Sequence, residues 1–184
     1  ECKKKDDYLG LDKEYEVEVL FGIETDTQDM LGLITRINIE NAQRVPGKKN
    51  PEIDFKKYEG KFTQEYPTYS SKMIAAKEVD EIPTKKVEIY EIEKINEQEV
   101  RGIDIAETAL ARIQYVTGDF RQGDIGEEWA AFGEEFGNFP FKLVKLRVKC
   151  SSGTYMRSLA ERIGKDTEVG AFAYSIKRTA IIMQ

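Results

Sequence analysis

Near the end of the chain, the spacing of apolar residues changes from that of a strand to that of a helix. Over residues 144–150 every second position is apolar and the positions between them are basic, which predicts a half-buried strand with one basic face. After the turn residues 151–153, apolar side chains recur at i, i+3, i+4 and i+7 over residues 156–163, as in an amphipathic helix. Thr154 is the predicted N-cap of this helix, and Gly164 is the residue predicted to follow its end.

Alternation also predicts strands elsewhere in the chain. Residues 13–22 alternate between apolar and mainly glutamate positions, residues 33–39 return as a second strand, and residues 171–182 are apolar and β-leaning. A strand over residues 85–93 shifts its phase after Ile89, which predicts a bulge at that point. These segments together predict a sheet assembled from distant parts of the chain.

Helical spacing appears in two further segments, residues 103–118 and residues 125–136. One helical turn is predicted near residues 53–58, and the turn residues and aromatics of residues 60–72 predict a surface loop. The sequence has no internal repeat and no low-complexity tract. Strands interleaved with helices predict one α+β domain over residues 1–184.

Composition restricts the chemistry available to the chain. It has 184 residues, enough for one domain with a real core, and no apolar run long enough to span a bilayer. Its two cysteines form no disulfide or metal framework, so we expect a protein of the reducing cytoplasm. It has no histidine, which excludes histidine triads and imidazole acid–base catalysis within this chain. Catalytic groups must therefore be carboxylates, tyrosine, lysine or arginine.

Charge is distributed unevenly along the chain. The net charge is −6, but residues 141–184 hold nine Lys or Arg and only three Asp or Glu. A local basic surface on an acidic protein is compatible with RNA binding, because counterion release depends on the charges at the contact. It is equally compatible with charge pairing between the two parts of the chain, and charge alone does not decide.

Four ordered blocks of sequence stand out. They are D-K-E-Y at 12–15 with T-D-T-Q-D-M-L-G at 25–32, F-T-Q-E-Y-P-T-Y-S-S-K at 62–72, K-C-S-S-G-T-Y-M-R-S-L-A at 149–160, and G-A with I-K-R-T at 170–179. In this order they resemble the motifs of the TruB family, the tRNA pseudouridine-55 synthases. Tyr66 stands where the family has a proline, and Ser71 stands where it has an alanine.

The resemblance implies a fold, an activity and site residues. The implied fold is a mixed, mainly antiparallel sheet flanked by helices, and the implied reaction is the isomerisation of a T-loop uridine in tRNA, without a cofactor or a metal. The target nucleotide must be flipped out of its stack. By resemblance, Tyr15 and Arg157 are catalytic: Tyr15 stacks on the flipped base, and Arg157 orients the nucleophilic aspartate. Tyr155, Ile176 and Lys13 are the implied substrate-binding residues.

Each of these residues also has a structural interpretation. Tyr15 and Ile176 suit a strand core, and Arg157 with Glu161 suits an ordinary surface i, i+4 pair. Asp26 and Asp29 are expected to form turns. The candidate phosphate contacts are otherwise solvated surface charges. They are Lys145, Arg147, Lys149, Lys177 and Arg178.

The sequence also departs from the family pattern. The nucleophilic aspartate of the family lies in a G-H-x-G-x-L-D-P motif ahead of the D-K-x-Y block, and no such motif occurs here. We therefore expect a chain that lacks the amino-terminal segment carrying the nucleophile and is inactive as given. Residues 95–140 are predicted to hold a helical insertion, and no RNA-binding appendage is expected after Gln184.

Three functions remain open from the sequence. The first is a tRNA pseudouridine-55 synthase that binds the T-arm of tRNA as a monomer. The second is a non-catalytic RNA-binding protein that keeps the tRNA surface and the pocket without the chemistry. The third is an α+β interaction domain whose motif matches are accidental.

Overall fold

The strands of the structure form one large sheet and one small one. The computed structural model describes residues 10–39, 53–67, 69 and 83–182. The strands are β1 (Asp12–Phe21), β2 (Ile23–Thr25), β3 (Ile34–Ile37), β4 (Gly60–Glu65), β5 (Thr84–Arg101), β6 (Pro140–Cys150) and β7 (Ala171–Ile182). The α-helices wholly within the described residues are α1 (Gly102–Ile113), α2 (Gln122–Phe136) and α3 (Met156–Asp166), and a 3-10 turn covers Phe55–Tyr58.

The large sheet is antiparallel throughout, with the strand order β4-β5-β6-β1-β7. Strands β2 and β3 form a separate two-stranded sheet. The described strands and helices therefore confirm the predicted α+β class with a mainly antiparallel sheet. Among the described residues, no helix is long and apolar enough to cross a membrane.

One face of the large sheet packs against α3 and the 3-10 turn. Val17 of β1 and Val148 of β6 are fully buried there, together with Leu159 and Ile163 of α3. Because the side chains of a strand alternate between faces, the residues between them point the other way. Burial of each large aliphatic side chain stabilises the fold by about 1.5–3 kcal/mol. This face therefore contains the first core of the protein.

The opposite face, at one end of the sheet, is covered by the antiparallel pair α1 and α2. Leu20 points to this side and packs with Trp129, Phe132 and Phe172 in a second, aromatic core. The ring centroids of Trp129 and Phe132 lie 5.4 Å apart in an edge-to-face arrangement, which is favourable for aromatic pairs. The two predicted helices are therefore present, and both pack against the sheet.

The structure corrects several boundaries. Residues 60–65 are the edge strand β4 and not a loop; position 68 and positions 70–72 of that block lie outside the described residues. Strand β5 continues to Arg101, so residues 95–101 of the predicted helical insertion are β-structure. The predicted bulge is confirmed, because the pairing of β5 with β6 shifts register after Ile89.

Both predicted caps of α3 are wrong. The helix begins at Met156, and the Thr154 hydroxyl donates to the carbonyl of Ser151 at 2.8 Å instead of capping the helix. Gly164 lies inside the helix, which continues to Asp166, and a Cβ at this position would be 2.2 Å from the backbone nitrogen of Ala171. The glycine is needed for the close approach of α3 to the start of β7, which the local sequence does not reveal.

This close approach predicts the effect of adding one methyl group. Gly164→Ala should lower the free energy of unfolding by about 1–3 kcal/mol, because the new Cβ meets backbone that cannot move aside. The matched control is Gly123→Ala in the first turn of α2, where no atom lies within 4 Å of the added Cβ. Urea denaturation of both variants checks this. Equal stability of the two variants would contradict the packing described.

Candidate active site

The T-D-T-Q-D-M-L-G block folds into a tight turn, residues 25–32, called the motif turn below. Asp26 closes it, because its Oδ1 accepts from the backbone N–H of Leu33 at 2.9 Å. Asp29 closes its centre, accepting from the Leu31 N–H at 3.0 Å and the Thr27 hydroxyl at 2.7 Å through Oδ1. Both aspartates therefore form turns, as expected.

Arg157 of α3 binds the motif turn directly. Its Nη1 lies 3.1 Å from Oδ2 of Asp29 and donates to the carbonyl of Thr27 at 3.2 Å. The two charged side chains are only 19% and 25% exposed, so the pair is more than a solvated surface contact. The alternative Arg157–Glu161 pair is not formed, since Glu161 contacts Lys165 at 2.8 Å.

The motif turn is tied to two further elements through Gln28. Its side-chain Nε2 donates to Glu161 of α3 at 2.8 Å, and its backbone carbonyl accepts from the N–H of Ala173 in β7 at 3.0 Å. Gln28 has φ +63°, a left-handed conformation that side chains other than glycine adopt at a cost. These contacts hold the turn in a conformation that the local sequence alone does not favour.

Tyr15 lies on the same face of the sheet as α3. It pairs with Val148 of β6 on one side and with Arg178 of β7 on the other, and it is half-buried against the first core. A register shift between Glu14 and Tyr15 interrupts the pairing with β7. Such shifts re-aim side chains at the edges of functional sites. Burial raises the pKa of the Tyr15 phenol, so it is protonated at neutral pH.

Gln64 of β4 joins the second block to the third. Its amide Nε2 donates to the carbonyl of Tyr155, and its Oε1 accepts from the Tyr155 N–H, both at 2.9 Å. The rings of Tyr66 and Tyr155 meet edge to face with centroids 5.5 Å apart. Sequence reasoning did not single out Gln64. Its position in the F-x-Q part of the block was the only available signal.

The two remaining predicted substrate-binding residues occupy different surroundings. Lys13 is buried, and its Nζ donates to the carbonyl of Leu11 at 2.5 Å and to Oγ of Ser152 at 3.3 Å, beside the turn before α3. Ile176 is 41% exposed on β7, opposite Val17. It lies on the same face as Tyr15 and is not a core residue. Its side chain is therefore accessible to a base that stacks on Tyr15.

The three predicted phosphate contacts on β6, Lys145, Arg147 and Lys149, lie on the face of the sheet away from Tyr15. There they alternate with glutamates of the neighbouring strands, and the described contacts are ion pairs. The pairs are Lys145–Glu16 at 2.8 Å, Arg147–Glu93 at 3.3 Å and Lys149–Glu91 at 2.6 Å. Lys177 is the register partner of Glu16 on this side, whereas Arg178 is the register partner of Tyr15. Of the five predicted phosphate contacts, the structure therefore brings only Arg178 beside Tyr15.

The charged groups of this region form no metal site. Among the described residues, no group of three or more acidic or cysteine side chains is arranged to hold a metal ion. The described charges of the sheet face and of the motif turn are arranged as pairs.

Comparison with known proteins identifies the family. The model for the TruB family pseudouridylate synthase N-terminal domain matches residues 1–119, which is more than half of the chain. The chain belongs to the TruB family. The match covers the motif turn and Gln64, whereas Arg157 lies beyond it and is covered by the sequence relatives of the family.

Those relatives are bacterial proteins named tRNA pseudouridine synthase B. The chain is 26% identical over 174 residues to that of Borreliella afzelii (strain PKo), covering 95% of this chain and 49% of the relative. It is 30% identical over 173 residues to that of Azoarcus sp. (strain BH72), covering 94% of this chain and 45% of the relative. The chain thus spans about half the length of the curated relatives it matches.

The chain is also similar to solved structures. A crystal structure of a Cbf5-Nop10-Gar1 complex matches with a TM-score of 0.46 and 18% identity, covering 96% of this chain and 32% of that chain. A structure of an H/ACA RNP bound to a substrate RNA containing 2'-deoxyuridine matches with a TM-score of 0.42 and 17% identity, covering 96% and 30%.

The Arg157–Asp29 pair predicts a measurable coupling. Arg157→Met leaves a partly buried carboxylate without its cation and should lower the free energy of unfolding by about 1–3 kcal/mol. Asp29→Asn keeps the turn-closing oxygen, so the double variant should lose less than the sum of the single losses. The control is Lys165→Met, whose ion pair with Glu161 is exposed and should contribute under about 1 kcal/mol. Strict additivity would show that the pair contributes nothing.

The raised pKa of Tyr15 predicts alkaline behaviour. The folded protein holds this phenol neutral, so its contribution to stability is complete below pH 10 and is lost as the pH rises through the folded pKa. Tyr15→Phe should therefore lose less stability than the parent above pH 10. Absorbance titration at 295 nm should also lose one late-ionising phenol. A variant that loses an ordinary phenol titrating near pH 10 would contradict the burial described for Tyr15.

Proposed function

We propose that this chain forms most of the catalytic domain of a tRNA pseudouridine-55 synthase, which isomerises a uridine in the T-loop of tRNA. The observation that supports this is the convergence of three family blocks at the amino-terminal end of α3. Gln64 meets Tyr155 and Asp29 meets Arg157, although the paired residues lie 91 and 128 positions apart in sequence. Blocks that matched by accident would have no reason to meet in space.

In this proposal, Tyr15 provides the flat surface on which the flipped uracil stacks. Stacking and edge hydrogen bonds must replace the interactions that the base loses when it leaves the loop. Because the phenol of Tyr15 is protonated at neutral pH, it also presents an O–H at the ring edge. Ile176 lies on the same face, Tyr155 and Lys13 complete the contacts with the substrate, and Arg178 supplies positive charge for the adjoining phosphate.

Arg157 holds and orients the nucleophile. A guanidinium has five N–H donors, and its contacts with Asp29 and Thr27 use Nη1 alone. We propose that the remaining donors face the nucleophilic aspartate, keep it ionised and aim it at the reacting nucleotide. Asp29 then serves to fix the arginine and is not itself the nucleophile, since its Oδ1 is engaged in closing the turn.

The nucleophile lies outside these 184 residues in this proposal. The sequence contains no G-H-x-G-x-L-D-P motif and no histidine, and it spans about half the length of the two relatives described above. Residues 1–184 alone are therefore expected to bind RNA without isomerising it. The helical insertion between β5 and β6 belongs to the same catalytic domain, which acts as a cytoplasmic monomer on the T-arm of tRNA.

A second function is a non-catalytic RNA-binding protein of the same fold. The observation that favours it is the absence of the nucleophile motif from a sequence whose other blocks still assemble. The two functions share the pocket and the RNA, and they differ only in turnover. The same experiment distinguishes them.

The test uses a tRNA transcript labelled with tritium at C5 of its uridines, because C5 loses its proton during the isomerisation. Residues 1–184 and the product of the complete reading frame are compared for tritium release and for binding of a T-arm hairpin. We expect both proteins to bind and only the longer one to release tritium, with no release from a transcript carrying cytidine at the target position.

Each other outcome has one meaning. Hairpin binding without turnover by either protein would favour the non-catalytic function. Turnover by residues 1–184 would show that the nucleophile is within this chain. Absence of both binding and turnover would reject both functions and support an interaction domain.

A further inference from the structure

Helices α1 and α2 and the loop between them, called the hairpin below, contact the motif turn through Arg121, the last residue of that loop. Arg121 Nη1 lies 2.8 Å from Oδ2 of Asp26, the aspartate whose other oxygen accepts from the Leu33 N–H. The two charged side chains are 34% and 22% exposed. The same guanidinium stacks on the ring of Tyr69, with 4.8 Å to the centroid. One side chain of the hairpin therefore contacts two of the family blocks at once.

Backbone conformation marks both sides of this contact. Arg121 has φ +62° and Gln28 in the motif turn has φ +63°, and only one other described residue besides glycine, Glu168, has a positive φ. Such a conformation is unfavourable for residues other than glycine and persists only where the surroundings impose it. The structure thus holds one unfavourable conformation at the Arg121 contact and another two residues after Asp26 in the motif turn, and strain of this kind clusters at functional sites.

The helices behind the loop support the same turn. Met30, next to Asp29, is buried among residues of α1 and α2 in the second core. Glu128 of α2 accepts from the Ile34 N–H at 2.8 Å, just beyond the turn. The hairpin therefore contacts the motif turn at its start, at its centre and after its end.

We propose that Arg121 is a positioning residue: by fixing Asp26 and stacking on Tyr69, it locks the motif turn so that Asp29 holds Arg157 in its working orientation. The role in catalysis rests on the function proposed above. The effect on the turn does not, because it follows from contacts within the described residues. In this proposal the hairpin helps to position the active-site residues.

The contact can be removed with little disturbance elsewhere. Arg121→Met keeps the length of the side chain and loses its charge and planar group. Arg121→Lys keeps the charge for Asp26 and loses the planar stack on Tyr69. Asp26→Asn keeps the oxygen that accepts from Leu33 and weakens the ion pair from the other side. The matched control is Arg101→Met at the base of the hairpin, where Arg101 pairs with Asp104 on an exposed surface.

The first measurement needs no catalytic activity. In residues 1–184, hydrogen exchange of the Leu31 and Leu33 amides reports opening of the motif turn, and the side-chain NMR signal of Arg157 reports its pairing with Asp29. Arg121→Met and Asp26→Asn should each speed exchange at these amides about tenfold and shift the Arg157 signal. Arg121→Lys should show a smaller effect, and Arg101→Met should show none.

The second measurement uses the product of the complete reading frame. Arg121→Met should lower kcat about tenfold while KM for tRNA changes less than twofold, because misplacing a catalytic group affects the transition state more than binding. Arg121→Lys should restore part of kcat. A uniform loss of stability would instead lower activity in Arg101→Met as well.

The outcomes separate the two proposals. Unchanged exchange and an unchanged Arg157 signal in Arg121→Met would overturn the positioning role, whatever the activity. Faster exchange in residues 1–184, together with no turnover by the unsubstituted product of the complete reading frame, would keep the structural role of Arg121 and reject the proposed enzyme. Faster exchange with unchanged kcat would show that the turn is locked by Arg121 but does not limit the reaction.

Discussion

The pairing of β1 with β6 at the centre of the sheet fixes most of what surrounds it. The ladder runs from Lys13 opposite Cys150 to Leu20 opposite Leu143, with no register shift. Because side chains alternate between faces, this register sends Tyr15 toward α3 and the intervening glutamates toward the basic residues of β6. A slip of one residue would exchange the two faces, burying the charges and exposing the core. Both the apolar contacts on one face and the ion pairs on the other therefore stabilise this register against a one-residue slip.

On this frame, the site is assembled from contacts between distant segments. Strand β6 leads through a short turn into α3, with Tyr155 at the N-cap of the helix and Arg157 in its first turn. The motif turn and β4 then reach these residues from the other parts of the chain, through Asp29 and Gln64. A site mounted on regular elements keeps its geometry better than one built on loops alone. The family blocks correspond to the points where separate segments meet.

The α1–α2 hairpin shows how an added segment becomes part of such a site. It covers the same face of the sheet as the ion pairs, at the end where Leu20 and Phe172 lie, and its aromatic core around Trp129 encloses Met30 of the motif turn. Its loop then reaches the outer edge of that turn through Arg121. Core packing and an ion pair both act on this short segment. Tertiary contacts therefore maintain the left-handed conformations of Arg121 and Gln28. Local strain and distant burial are thus coupled in this fold.

Periodicity alone determined the α+β class, both helices of the hairpin, the central strands and the bulge after Ile89, because these depend on neighbours along the chain. Tertiary structure alone decided that residues 60–65 form an edge strand, since its hydrogen bonds come from pairing with β5, which the sequence of this segment does not predict. It also decided that Gly164 continues α3 and that Arg157 faces Asp29, 128 positions away. The sequence showed which residues were charged or small. Only the fold determined which groups lie within reach of them, because ion pairs and close backbone approaches depend on distances between segments that no local pattern encodes.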